Sequence, residues 1–177
     1  MTPKPPKGWY KNGSANELYE VGVDENNAWG GMPSAYARST GAAEGKFGGM
    51  MQTISADVYK NQRVRLTGWV KTEDAADGGH LWMRVDGPEG GKSLQFDNMN
   101  QRAPKGTTDW EEYSIVLDVP PESTRLNYGF FVRGKGRMWV NGLTVTPVGN
   151  DVPTTNMMKP PALPQAPVNL GFVPPSN

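Results

Sequence analysis

Between Arg63 and Val145, apolar and polar residues alternate in short runs broken by Gly, Pro, Asn and Asp, and no long stretch keeps the 3.6-residue spacing of a helix. Period-two alternation marks strands that bury one face. Nine runs predict strands: Glu17 to Val23, Ser34 to Ser39, Gly49 to Ile54, Val64 to Lys71, His80 to Asp86, Ser93 to Met99, Glu112 to Val119, Leu126 to Arg133 and Arg137 to Thr146. Turn signals at intervals of roughly 8 to 12 residues suit two packed sheets. The expected fold is all-β, a jelly-roll-like β-sandwich of two antiparallel sheets. The best helical candidate, Ser55 to Asn61, makes one or two turns capped by Ser55 or Asp57. Asp86 to Lys92 reads as a hairpin loop, and Asn100 to Asp109 as a crossing between sheets that Trp110 anchors in the core. Gly41 to Gly49 lacks the helix that a phosphate-binding loop requires, and reads as a loop.

One strand is unusually furnished. Alternation along His80 to Asp86 sends Leu81, Met83 and Val85 into the core and leaves His80, Trp82, Arg84 and Asp86 on the opposite surface. Together these four offer a stacking plane, a fork of donors, an acceptor and a titratable ring, which is more chemistry than solubility needs. Trp82, Arg84 and Asp86 are therefore the leading ligand-binding candidates. Gln52, a polar intrusion in Met50 to Ile54, either reaches the same face or satisfies a bulge. Asp97 and Asn98 break the alternation of Ser93 to Met99, so one points inward, as a hydrogen-bond hub or a ligand contact.

Composition narrows the function classes. Eighteen basic and eighteen acidic residues cancel among 177, so the electrostatic footprint of a polyanion binder is missing. Cysteine is absent, which removes disulfides, thiolate nucleophiles and Cys-ligated metals. No stretch has the apolar length of a membrane helix, and Met1 to Gly8 lacks the apolar run of a signal peptide, so a cytoplasmic location is expected. His80 is the sole histidine, leaving Asp97, Asp86 and His80 as the acid–base candidates should there be catalysis. Asp24 and Glu25, in a loop over Asp24 to Asn27, are an oxygen cluster for Ca²⁺ without the Gly-spaced pattern of a dedicated calcium loop, and no other cofactor is indicated.

Sixteen prolines, many of them beyond Pro147, divide the chain into a sandwich over residues 1–149 and a Pro-rich strap over 150–177. Within the strap, Val168 to Val173 is apolar and predicts a short docking strand, either on its own sandwich or on a second copy as a homodimer contact.

Leu81 to Gly87, Leu94 to Met99, Lys105 to Trp110, Val116 to Pro120 and Asn169 to Phe172 together resemble a bacterial β-sandwich family found alone or appended to AraC-type transcriptional regulators, similar in outline to carbohydrate-binding modules. The resemblance spans roughly Gly8 to Val173 and implies a sensory or ligand-binding module. The regulators' helix-turn-helix part has no counterpart in this sequence, so direct nucleic-acid binding is not expected. Three function classes follow. The first is a non-catalytic module that binds a sugar, a polyol or a similar small ligand. The second is an isomerase or cyclase working through a carboxylate in the same groove, and the third is a structural interaction protein.

Overall fold

A computed structural model describes residues 2–88, 92–158 and 163–175. Ten strands form two antiparallel five-stranded sheets. Sheet A has the order β1 (Tyr10–Gly13), β4 (Phe47–Ser55), β9 (Arg125–Arg133), β6 (Gly79–Asp86), β7 (Ser93–Asp97). Sheet B has the order β2 (Tyr19–Trp29), β3 (Met32–Ser39), β10 (Arg137–Val148), β5 (Gln62–Ala75), β8 (Gly106–Val119). From β3 onward each connection changes sheet except the β6–β7 hairpin, which is the jelly-roll pattern.

All nine predicted strands are present, and the strand that alternation did not reveal is β1, four residues long and at an edge. Alternation works because the inner residues of both sheets meet in one core. Leu81, Met83 and Val85 from β6 pack with Phe130 and Val132 from β9, Leu66 and Val70 from β5, and Ile115 and Leu117 from β8. Truncating one of these to Ala costs about 2–5 kcal/mol. The predicted helix shrinks to a 3-10 turn at Asp57–Tyr59, where Ser55 Oγ accepts from the Asp57 N–H at 3.2 Å.

Four local expectations are revised. Trp110 lies on β8, which begins at Gly106, and it stacks on Trp29 on the outer face of sheet B, while buried Met99 and Pro104 hold the crossing. Phe47 and Gly48, read as part of a loop, belong to β4. Asp24 to Asn27 is not a free loop but an irregular stretch of β2, whose pairing with β3 shifts register between Asp24 and Trp29. Residues 168–173 form no strand. The chain turns there, with Asn169 and Phe172 at positive φ, and Val168, Leu170, Phe172 and Val173 stay exposed.

β7 and β8 are the edges on one side of the sandwich, and residues 150–157 already cap them. The Thr155 N–H donates to the Val116 carbonyl (2.8 Å) and the Met157 N–H to the Phe96 carbonyl (2.7 Å), so unpaired edge groups are closed on both sheets. Arg63 secures the strap by donating to the carbonyls of Asn150 and Val152 while pairing with Asp118. Glu89 to Gly91 of the hairpin loop, and Pro160 and Pro161 of the strap, lie outside the described residues.

Candidate functional site

The pairing of β6 with β7 and β9 sets the outer face of sheet A. Across it run three rows: His80, Phe131, Gly49 and Asn12; then Trp82, Gly129, Met51 and Tyr10; then Phe96, Arg84, Asn127 and Thr53. Gly49 and Gly129 stand in the first two rows. A Cβ at Gly49 would run into the Phe130 carbonyl oxygen, and one at Gly129 into that of Met50. Close approach of the backbones thus demands glycine at both positions, and beside Trp82 lies a space that no side chain fills.

That space is a cavity of about 270 Å³ lined by Asn12, Phe47, Trp82, Arg84, Phe96, Asn98, Phe131 and Arg133. Four aromatic rings make its walls. Phe47 packs on Phe131 at 5.1 Å, and the Arg133 guanidinium lies 5.6 Å from the Phe131 ring. Larger depressions at Arg38 to Ala42 with Lys135 (about 610 Å³) and at Val23 to Asn27 with Tyr36 and Arg137 (about 590 Å³) are open to solvent and less aromatic.

Two polar atoms in this cavity wall have nothing to bond. Trp82 is 6% exposed, and its Nε1 finds no acceptor among the described residues; Asn12 Oδ1, also buried, finds no donor. Buried polar groups are nearly always paired, and leaving one unpaired costs about 1–3 kcal/mol. Trp82 and Asn12 thus each place one unsatisfied buried polar atom on a residue of the cavity wall.

The third row is closed on itself. Arg84 donates to both Asp86 oxygens (2.8 and 3.0 Å) from Nε and Nη2, Asn127 Nδ2 donates to Asp86 Oδ2 (2.8 Å), Thr53 Oγ1 to Asn127 Oδ1 (2.8 Å), and the Tyr10 hydroxyl meets Thr53 Oγ1 (2.7 Å). Asp86 is thereby a positioning group for Arg84, buried to 4% exposure and absent from the cavity wall.

The other candidates separate. Asp97 is the inward member of its pair, fully buried, and accepts from Arg102 (2.5 and 3.1 Å) and from the Met99 N–H (2.9 Å), which holds Met99 at φ 58° at the start of the crossing. Asn98 lines the cavity. Gln52 falls on the inner side of β4, donating to the Gly8 carbonyl and accepting from the Tyr128 hydroxyl, away from Trp82. His80 is on the outer face as expected, but it is buried, stacked on Phe131 at 4.6 Å, and faces the carbonyls of Asn98 (2.9 Å) and Asp77 (3.1 Å). Burial pushes its pKa below 6.5 against the pull of those two carbonyls, with Arg133 and Lys105 adding to the decrease.

Asp24 is occupied by donors: the Asn26 N–H on Oδ1, Asn27 Nδ2 and Trp139 Nε1 on Oδ2, with Arg137 3.7 Å away. Burial would raise its pKa, but these bonds outweigh burial and lower it. Glu25 is exposed, and among the described residues no three His, Asp or Glu side chains are grouped to hold a metal. Phe47, Phe96, Phe131, Arg133 and Asn12 were not among the sequence candidates. Alternation puts Phe131 and Arg133 on one face of β9, yet only the β6–β9 register brings that face to Trp82.

No family model matches the chain. It is 41% identical over 167 residues to the uncharacterized HTH-type transcriptional regulator YbfP of Bacillus subtilis (strain 168), covering 94% of this chain and 56% of the regulator. The chain thus spans about half the length of the curated relative it matches. Among solved structures, the CBM22-1 xylan-binding domain from Paenibacillus barcinonensis superimposes with a TM-score of 0.58 at 22% identity, covering 82% of this chain and 88% of the module. The C-terminal family 22 carbohydrate-binding module from Clostridium thermocellum superimposes with a TM-score of 0.56 at 12% identity and the same coverage. The fold is that of the carbohydrate-binding-module jelly rolls. The chain is homologous to part of a helix-turn-helix-type regulator and shares its sandwich architecture with modules that bind polysaccharide. Among the described residues no helix is long and apolar enough to cross a membrane.

Proposed function

We propose that this sandwich binds a small hydroxylated ligand, a sugar or a polyol, in the cavity on the outer face of sheet A, and acts as a sensory module without turnover. The observation that carries this reading is the pair of unpartnered buried atoms, Trp82 Nε1 and Asn12 Oδ1, in one aromatic wall. Aromatic faces accept the apolar C–H side of a sugar ring, while the indole N–H and the amide oxygen bond its hydroxyls. At about 270 Å³ the cavity is just below the roughly 300–1,000 Å³ of drug-sized sites, so one ring fits better than a chain. Likeness to a xylan-binding module and to a transcriptional regulator both favour sugar recognition in a sensory setting.

Catalysis is the weaker reading. Asp86 and Asp97 are each held by an arginine and neither lines the cavity, whereas a carboxyl acid–base group would need an unpaired place beside the ligand. The test is a ¹H–¹⁵N NMR titration with glucose, galactose, xylose and their methyl glycosides, following the indole signals of the six tryptophans. The Trp82 indole is expected to move first and most. Movement confined to the indoles of Trp29, Trp69 and Trp110 would place the site on the other sheet and end this reading.

A further inference from the structure

The hydrogen-bonding capacity of the cavity is lopsided. Among the described residues that line it, Trp82 Nε1 is an unused donor, and so are Arg84 Nη1, Asn98 Nδ2, and Nε and Nη2 of Arg133; the single unpartnered buried acceptor of this lining is Asn12 Oδ1. Asn98 Oδ1 is already taken by the Asn100 N–H at 3.1 Å. A neutral sugar presents hydroxyls that donate as readily as they accept, and so uses such a wall poorly.

Charge points the same way. Two guanidinium groups line the cavity, and no carboxylate does. Asp86 neutralises Arg84 in a two-bond pair. Arg133 has no such partner: none of the ion pairs among the described residues includes it, and its one hydrogen bond goes from Nη1 to the neutral amide oxygen of Asn100 at 2.9 Å. It is half-buried over the Phe131 ring, where the guanidinium plane is held but not neutralised. A guanidinium in that state takes a carboxylate with two parallel N–H bonds.

We infer that the ligand of this cavity is a sugar acid, whose carboxylate docks on Arg133 while its ring and hydroxyls meet Trp82, Phe131 and Asn12. The inference rests on the sugar-binding reading above and narrows it from hydroxylated compounds to uronic or aldonic acids. Arg133 is then the specificity-determining residue, and the prepaired Arg84 supplies one further donor through Nη1. The carboxylate uses the surplus donors, and one hydroxyl serves the lone acceptor.

Titration calorimetry of the full chain with glucuronate, galacturonate, glucose, galactose, acetate and inorganic phosphate tests this. The acids are expected to bind about tenfold or more tightly than their neutral counterparts, a margin that shrinks in high salt. Arg133→Gln is expected to bring the ratio of acid to neutral affinity to about one, and Arg133→Lys to restore part of it, with melting curves confirming that both variants fold. Equal affinity for acid and neutral sugar would overturn the sugar-acid inference and leave the sugar-binding reading standing. Binding of acetate or phosphate as strong as that of the uronates would also overturn it, since the site would then read charge alone. Failure of every sugar, neutral or acidic, would remove both.

Discussion

The two outer faces of the sandwich carry similar residues to opposite effect. By composition, sheet B looks the better site: Trp29 lies against Trp69 (5.1 Å) and Trp110 (5.7 Å), Arg137 sits between the rings of Tyr36 (5.2 Å) and Trp139 (4.6 Å), and Lys71 lies 5.5 Å from the Trp139 ring. The polar groups beside Tyr36 and Trp139, however, are occupied by one another. Glu20 takes Arg38 (2.8 and 3.1 Å) and the Tyr36 hydroxyl (2.8 Å), and Asp24 takes Trp139 Nε1 (2.8 Å) and Asn27 (2.9 Å). The one orphan there, Arg137 Nε, lies between aromatic rings. Sheet A carries fewer tryptophans, but two residues of one cavity wall each keep a buried polar atom that has no partner among the described residues. On the proposed function, what marks the binding face is unspent hydrogen-bonding capacity beside an apolar surface, rather than the number of aromatic and charged side chains.

If the contrast is right, removing a polar group from sheet B costs stability, and removing one from sheet A costs binding. The largest stability effect is expected for Asp24→Ala, which strands the buried indole N–H of Trp139 and should lower the unfolding free energy by about 2 kcal/mol in urea melts, with ligand affinity unchanged. Next comes Trp82→Phe, which keeps the wall aromatic but deletes the open donor, and is expected to weaken sugar binding about tenfold in calorimetry.

Acid separates the faces by pH. The folded pKa of His80 is lowered, so the unfolded chain binds more protons near its ordinary 6.5; stability present above that value is lost as pH falls through the lower, folded pKa. Glu20 and Asp24 are carboxyls whose folded pKa values are also lowered, Glu20 chiefly by the bond from Arg38, so their contribution holds above the ordinary 4.5 and 3.8 and fades only below. Melting temperatures recorded from pH 7.5 downward should therefore fall in two stages, and His80→Gln should flatten the first alone. The smallest effect is expected for removal of residues 163–177. The side chains described there are exposed, so the melting free energy should change by less than about 0.5 kcal/mol, whereas a cut before Asn150 strips the capped edges and should cost several times more.

Much of the fold was legible because period-two alternation is a local consequence of one buried face, and Leu81, Met83 and Val85 obey it fully. The outward placement of Trp82 and Arg84 followed from the same rule. What alternation could not show is which strands lie side by side. Phe131 and Arg133 reach Trp82 only through the β6–β9 register, and Asn12 only through a short edge strand paired with β4. Asp86 and Asp97 illustrate a second limit: a carboxylate reads the same in sequence whether it faces a ligand or an arginine, and here each faces an arginine. Nor could sequence foresee that Thr155 and Met157 bond to the β8 and β7 edges.

On the proposed function, the sandwich keeps Trp82 Nε1 unpaired for a ligand, at a cost to its own stability. The most direct test is one variant read twice: the melting temperature and the sugar affinity of Trp82→Phe beside the parent protein. The account predicts a ligand-free melting temperature that is unchanged or higher, because an unsatisfied buried donor has been removed, together with weaker binding. A variant that melts lower and binds the sugar as well as the parent would contradict it, and would make the Trp82 indole a structural group of the sheet.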